Sequence, residues 1–151
     1  MTGSEATPGT SGPSAPAPWE IIITEWALDS YLQFKKAGTF TDQEYWRTIR
    51  PDVELLRTGI PSPEPKFQNS TFWGPAKQGN VVLNGGYKMK WRQMGPGKVQ
   101  LRLPVMSATR KAFLCEAYVK ANDKVDQRKM ARFKTHMNLI AKGQYHYRGK
   151  L

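Results

Sequence analysis

The sequence predicts a single domain of the α+β class, in which an N-terminal strand and a helical hairpin pack on a small antiparallel sheet with a C-terminal helix. Its 151 residues are the usual size of one domain. Apolar residues recur at helical spacing in two regions, residues 24–59 and 125–141. Between these regions, short apolar segments are separated by glycine-rich turns, which is typical of antiparallel strands.

Residues 1–18 are predicted to form a disordered tail before the domain, which spans residues 19–151. The tail consists mostly of Gly, Ser, Thr, Ala and Pro, and Glu5 is its one charged side chain. Such a segment cannot bury enough apolar surface to offset the entropy that it would lose on ordering. Folding therefore begins at Trp19, where residues 19–23 are rich in β-branched side chains and predict the first strand.

The helical hairpin is predicted from the signals at the ends of its helices. Thr24 is suited to cap the first helix, and Gly38 is suited to end it. The segment Thr41-Asp42-Gln43-Glu44 is a capping box, so the second helix begins after its threonine. Pro51 interrupts the helical pattern and predicts a kink or a restart, and Gly59 ends the helix.

The sheet is predicted from residue 80 onward. Residues 60–78 are rich in proline and aromatic residues and predict an extended connector whose rings pack on the domain. Four strands are then predicted, over residues 80–83, 87–94, 98–105 and 112–120, with turns at 84–86 and 95–97 between the first three. In the last strand, the alternation places Tyr118 on the same face as Leu114.

The predicted C-terminal helix covers residues 125–141 and ends at Gly143. Its apolar residues form one stripe, which consists of Met130, Phe133, Met137 and Ile140. His136 lies beside this stripe and is interpreted as a structural residue. Residues 144–148 follow the helix as an aromatic and basic tail.

The charge of the chain indicates a polyanionic partner. The formal net charge is +11 and the sequence pI is about 9.9. No Lys or Arg precedes Lys35, whereas from Thr109 to Leu151 eleven basic residues stand against three acidic ones. Nucleic acid, an acidic protein or an anionic membrane surface would suit such an excess.

Other features bear on location and cofactors. The sequence has no run of about 20 apolar residues that would span a membrane, and no secretory signal is recognisable. Cys115 is the only cysteine, so no intrachain disulfide is expected and the thiol is interpreted as a core group. Cys115 and the two histidines are too far apart in sequence for a zinc site, and no nucleotide-binding fingerprint is present, so we expect neither metal nor cofactor. With no recognisable secretory signal and only one cysteine, we expect a cytoplasmic location.

Three segments of the sequence are informative when taken in the predicted order of elements. They are Lys88-Met89-Lys90-Trp91-Arg92, the strand Val99–Val105 with its central Arg102, and Phe113–Lys120 followed by Lys124 and Met130-Ala131-Arg132. Together they resemble the RelE/ParE toxin superfamily and within it the HigB-like branch. The resemblance implies the toxin of a type II toxin–antitoxin system. Its activity would be metal-independent cleavage of mRNA on the ribosome, and a cognate antitoxin would cover its basic face.

Cleavage of RNA without a metal has requirements that can be stated from chemistry. The 2′-OH attacks the phosphate, so a base must take its proton, cations must stabilise the phosphate oxygens and an acid must protonate the departing 5′ oxygen. Arg92 and Arg102 are the candidates for the phosphate clamp, because a guanidinium matches two phosphate oxygens at once. Tyr118, Lys120 and His146 are the candidates for proton transfer.

A second set of residues is expected to bind RNA without taking part in chemistry. These residues are basic or aromatic and are Lys88, Lys90, Lys124, Arg128, Arg132, Tyr147 and Arg148. Glu116 is interpreted as a counter-ion for the arginines. Two other functions remain open at this point, namely a ParE-like inhibitor of DNA gyrase and a nucleic-acid-binding protein without catalytic activity.

Overall fold

The computed structural model describes residues 17–151, so the tail predicted over residues 1–18 lies outside the described residues except for Ala17 and Pro18, which are exposed. The described part has the predicted α+β class, with three helical segments and a seven-stranded sheet. The sheet is larger than predicted, and it is mixed rather than antiparallel because the first strand pairs in parallel with a neighbour.

The N-terminal elements form as their end signals predict. They are strand β1 (Glu20–Thr24), helix α1 (Glu25–Ala37) and a second helical segment, α2, which begins at Asp42 and ends at Thr58. The Thr24 side chain caps α1 by accepting from the backbone N–H of Ala27, and Gly38 ends it in the left-handed conformation. The capping box between Thr41 and Glu44 is confirmed in both directions.

Pro51 divides α2, as predicted. A proline removes one backbone donor and its ring presses against the carbonyl one turn earlier, so the preceding turn must widen. The segment accordingly runs as α-helix over Asp42–Glu44, π-helix over Tyr45–Ile49, α-helix over Arg50–Glu54 and 3₁₀-helix over Leu55–Thr58. Gly59, with a φ of 110°, then ends it.

The remaining elements are a 3₁₀ turn (Pro65–Gln68), strands β2 (Trp73–Gln78), β3 (Val81–Met94), β4 (Val99–Ala108), β5 (Lys111–Leu114) and β6 (Tyr118–Val119), helix α3 (Asp123–Ala141) and strand β7 (Tyr147–Lys150). The strand order across the sheet is β2-β3-β4-β5-β1-β7, and β6 also pairs with β4. The predicted tail after α3 therefore forms an edge strand, antiparallel to β1.

Two of the predicted boundaries in the sheet are wrong. Residues 73–78 were expected to belong to a connector but form β2, which pairs with β3. The turn between these strands lies at Gly79 and Asn80, whereas the predicted turn at residues 84–86 is an irregularity within β3. Gly85 has a φ of 81° there, so the glycines permit a bulge in a continuous strand rather than a reversal of the chain.

The predicted strand over residues 112–120 is also wrong as one unit, because it is broken into β5 and β6. Leu114 pairs with Val105, whereas Tyr118 pairs with Arg102. Four steps along one strand therefore match three along the other, and one extra residue is accommodated between the two pairs. This reverses the alternation, so Tyr118 lies on the opposite face of the sheet from Leu114.

The sheet separates two apolar clusters. On one face, α1 and α2 pack on a cluster that includes Ile21, Trp91 and Leu103. On the other face, α3 packs its predicted stripe on the sheet beside Phe113 and Cys115. Cys115 is fully buried and burial raises the pKa of its thiol, which confirms the interpretation as a core group.

His136 is confirmed as structural. It is 7% exposed, and its ring stacks on Trp26 with centroids 4.1 Å apart. It therefore helps to hold the middle of α3 against the start of α1.

Gly86 allows α3 to approach the sheet closely, which leads to a prediction about stability. A Cβ at this position would lie 2.8 Å from Phe133 Cε2 and 3.1 Å from Met137 Sδ. Because Phe133 is buried, Gly86→Ala should lower the free energy of unfolding by about 1–3 kcal/mol through overpacking. Urea unfolding measures the change. In the matched control Gly97→Ala, the nearest atom is Val99 Cγ1 at 3.4 Å, and an equal loss there would show that packing against α3 is not the cause.

Candidate nucleic-acid interface

A row of polar side chains crosses three strands on the face of the sheet that carries α3. The register pairs Lys90 of β3 with Arg102 of β4, and Arg102 with Tyr118 of β6. Cross-strand partners share a face, so the three side chains lie side by side. Lys88, two residues before Lys90, belongs to the same face, while Met89 between them packs in the cluster on the other side.

Asp126 of α3 joins this row to the helix. Its Oδ1 lies 3.0 Å from Arg102 Nη1, its Oδ2 lies 3.4 Å from Lys88 Nζ, and the Tyr118 hydroxyl donates a hydrogen bond to Oδ1. The side chains of Asp126, Lys88 and Arg102 are 9%, 10% and 13% exposed, and Tyr118 is 2% exposed. One carboxylate thus holds two cations and a phenol at the edge of the core.

The titration of these groups follows from their mutual contacts. Burial would raise the pKa of the Asp126 carboxyl, but the Tyr118 hydrogen bond and the charges of Lys88 and Arg102 outweigh it, so the pKa is lowered. Burial is the largest effect on Lys88 and lowers its pKa; the attraction of Asp126 raises it, and the repulsion of Arg102 lowers it further. Burial and the contact with Asp126 raise the pKa of Tyr118, which keeps its hydroxyl protonated.

Sequence reasoning did not include Asp126 among the site residues. It lies one turn before Met130 on the side of α3 that packs against the sheet, and it is 6% exposed. A carboxylate in line with an apolar stripe needs a buried partner, since an unpaired buried charge is costly. The position of Asp126 in line with the apolar stripe is therefore the feature of the sequence from which a polar contact beneath the helix could have been predicted.

Lys90 lies where the row emerges from beneath α3. Its Nζ donates to the Ser70 carbonyl oxygen at 3.0 Å. Burial is the largest effect that lowers its pKa, followed by the charges of Arg102 and Lys88. The charge of Lys120 also contributes to lowering the pKa values of Lys88 and Lys90, which places this residue in the same electrostatic field.

The other predicted residues around the row are more exposed. Lys120 Nζ lies 3.2 Å from Asp123 Oδ1, and the Asp123 side chain is 96% exposed. Arg92 continues the alternation of Lys88 and Lys90 toward the end of β3 and is exposed. The pairing with β4 becomes irregular just after Trp91, so Arg92 lies at the rim of the row rather than beside Arg102.

The structure does not bring His146, Tyr147 and Arg148 to this row. Tyr147 and Arg148 belong to β7, which His146 directly precedes, and β7 is the edge strand three positions from β4 in the sheet. His146 Nε2 lies 3.9 Å from Glu25 Oε2, and the His146 backbone N–H donates to Glu25 Oε1 at 2.8 Å. Tyr147 is 53% exposed and pairs with Thr24.

The basic residues of α3 form a second group above the row. Lys124 and Arg128 are exposed and lie one turn apart. Lys129 Nζ and Arg132 Nε lie 3.1 Å and 3.0 Å from the carboxylate of Glu116. Glu116 is thus a counter-ion for basic residues of the helix, not for Arg92 or Arg102 as interpreted from the sequence.

The row is suited to hold a phosphodiester. We call Lys88, Lys90, Arg102 and Lys120 the cation row, and one buried carboxylate, Asp126, faces its inner end. Arg102 Nε is buried and has no hydrogen-bond partner within residues 17–151. A guanidinium with one arm fixed by a carboxylate is oriented in advance for an anion at its other donors.

Comparison with known proteins gave no match to this chain among family models, curated proteins or solved structures. Within residues 17–151, no three His, Cys, Asp or Glu side chains come together in a group that would hold a metal ion. Across the same residues, none of the helices combines the length and the apolarity needed to cross a membrane.

Proposed function

We propose that this chain is a toxin of the RelE/ParE type, in the HigB-like branch, that cleaves mRNA on the ribosome without a metal. Its place of action would be the cytoplasm, and its second partner would be a cognate antitoxin that covers the cation row. The observation that carries the proposal is the register of Lys90, Arg102 and Tyr118 across β3, β4 and β6, which groups cations on one face of the sheet.

The cation row supports cleavage because its charges match what the reaction develops. In the proposed reaction, the 2′ oxygen bonds to phosphorus while the bond to the 5′ oxygen breaks, which leaves a 2′,3′-cyclic phosphate. Arg102 stabilises the charge on the phosphate oxygens, and Arg92 extends the clamp at the rim. Asp126 orients Arg102 by accepting a hydrogen bond from its Nη1, and Tyr118 holds the carboxylate in place by donating its hydroxyl to the same oxygen.

The proton transfers are assigned to Lys120, a candidate from the sequence, and to Lys90, which from the sequence was expected only to bind RNA. Burial lowers the pKa of Lys90, so its neutral form is more accessible than that of an exposed lysine, and it can take the proton of the 2′-OH. Lys120 then donates a proton to the departing 5′ oxygen. His146 is not part of this scheme, since it is paired with Glu25 at the far edge of the sheet.

This assignment predicts a specific pH dependence. If neutral Lys90 is the base, the cleavage rate of the wild-type protein rises with pH as the pH approaches the lowered pKa of Lys90 and levels off above that pKa. Lys90→Arg keeps the positive charge but removes the base, because a guanidinium stays protonated. We expect the variant to lose most of kcat and the pH-dependent rise while KM for RNA changes little. An unchanged profile in the variant would exclude Lys90 as the base.

The proposal as a whole is tested by induced expression followed by mapping of RNA 5′ ends. New 5′ ends within translated mRNA, together with growth arrest, are the expected result. Growth arrest with broken chromosomal DNA and no new RNA ends would instead support the ParE-like alternative. Absence of both effects would exclude the toxin proposal.

A second candidate function is nucleic-acid binding without catalysis. It is favoured by one observation, namely that two of the predicted proton carriers are engaged elsewhere, Tyr118 with Asp126 and His146 with Glu25. The cation row and the exposed Lys124 and Arg128 would then only contact phosphates. RNA affinity that falls steeply with salt, without any cleavage, would support this function.

A further inference from the structure

A cavity of about 190 Å³ lies on the face of the sheet opposite the cation row. It is bounded by α1, by α2 and by the strands β1, β3, β4 and β5. Its volume exceeds the roughly 150 Å³ of an apolar protein cavity that binds benzene. A compact organic molecule therefore has room in it without any movement of the backbone.

The walls of the cavity are almost entirely apolar. Trp91, Leu101 and Leu103 of the sheet lie on one side, and Ala27 and Ile49 lie on the helical side. A further wall is formed by the aromatic rings of Tyr31, Phe34, Phe40 and Tyr45. The centroids of neighbouring rings in this group lie between 5.0 and 6.4 Å apart. Such a surface favours a hydrocarbon or aromatic body over a polar one.

Among residues 17–151, Arg50 is the one charged side chain that lines the cavity. Its Nε forms a long ion pair with Glu54, 3.7 Å from Oε1, which is beyond hydrogen-bond distance. Glu54 has a closer partner, because Arg57 Nη1 donates to its Oε2 at 3.2 Å. The guanidinium of Arg50 is partly exposed and lies over Trp46 with 5.1 Å to the ring centroid, so a carboxylate at the cavity would compete only with this long contact to Glu54.

The geometry points to a binding site for a small amphipathic monocarboxylate, such as a medium-chain fatty acid or an aromatic acid. The apolar body fills the cavity between the helical hairpin and the sheet, and the carboxylate pairs with Arg50. This site is separate from the cation row and does not depend on the function proposed above.

Calorimetric titration with octanoate and with 1-octanol tests the proposal. Octanoate should bind the wild-type chain about tenfold more tightly than octanol, because only the acid gains a charge-assisted contact with Arg50. In Arg50→Gln, the two probes should bind with equal, weak affinity. In Ala27→Leu, which fills the cavity, neither probe should bind.

Methyl NMR of the wild-type chain gives a test that does not rely on folded variants. Octanoate should shift the methyl signals of Ile23, Ile49 and Val53, which line the cavity, and leave those of Val81 and Val82, at the exposed start of β3, unchanged. Absence of binding would overturn the proposal. So would equal affinity for both probes in the wild-type chain, or shifts confined to residues outside the cavity.

Discussion

Replacing Arg102 with alanine should reduce RNA cleavage at least about a hundredfold, since it removes a preorganised donor to the developing phosphate charge. Growth arrest on induced expression should disappear with it. The fold should persist, because Asp126 keeps its contacts with Lys88 and Tyr118 after the guanidinium is removed. The rate of cleavage of a defined RNA and the melting temperature measure the two parts of this prediction.

Arg57 offers a matched control for this substitution. It is also partly buried and paired with a carboxylate, with its Nη1 3.2 Å from Glu54 Oε2, but it lies at the end of α2. Arg57→Ala should leave cleavage and growth arrest unchanged. Undiminished toxicity of the Arg102→Ala protein at a normal expression level would contradict the role of Arg102 as the phosphate clamp.

Replacing Asp126 with alanine should cause the largest loss of stability among the charged residues discussed. The substitution leaves two nearly buried cations and the Tyr118 hydroxyl without their shared acceptor. Removal of one partner from a buried ion pair typically costs about 3–5 kcal/mol. Urea unfolding should show a loss of that size, and Lys88→Met in the same background should restore part of it by removing one unpaired charge.

The matched control is Asp123→Ala, three residues earlier on α3. The Asp123 side chain is 96% exposed, and its pair with Lys120 is open to solvent. Its loss should change the free energy of unfolding by about 0–1 kcal/mol. Equal losses for Asp123 and Asp126 would show that the buried contacts do not stabilise the fold.

The contribution of Asp126 also has a defined pH dependence. Its folded-state pKa is lowered from an ordinary value near 3.8. The stabilisation is therefore complete above that ordinary value and is lost as the pH falls through the lower folded-state pKa. Asp126→Asn should remove this part of the acid sensitivity, which acid titration of the unfolding midpoint would show.

The helices were predicted well because the signals at their ends are local. Thr24, Gly38 and the capping box that begins at Thr41 satisfy backbone groups of their own helix, so no distant contact is needed to recognise them. The proline break at Pro51 is local in the same sense, although the π-helical form of the preceding turn was not predicted.

The sheet was predicted less well because its boundaries depend on pairing between distant residues. Asn84-Gly85-Gly86 has the composition of a turn, yet pairing with β4 keeps the chain extended through Gly86. Strand β7 forms because it pairs with β1, which lies more than 120 residues away in the chain, and no feature of residues 147–150 alone indicates that partner.

The candidate site was predicted in part for the same reason. Alternation along the strand predicted Lys88 and Lys90 on the face of Arg92, and the order of the strands predicted Arg102 on the adjacent one. That Arg102 pairs with Lys90 is known only from the register. The contact with Asp126 depends on how α3 crosses the sheet, which the sequence pattern alone does not define. The separation of His146 from Arg102 likewise depends on the sheet order.

The extra residue between β5 and β6 has a consequence for comparison with related chains. Because of it, the hydroxyl of Tyr118 turns toward Asp126, and Val119 points to the opposite face. A chain without the extra residue between Leu114 and Tyr118 would pair regularly with β4 and would still place its tyrosine opposite the Arg102 counterpart, but one position earlier in its numbering. Equivalent residues in two chains with this sheet are therefore defined by strand register. A sequence alignment without the one-residue gap between β5 and β6 would match the wrong side chains.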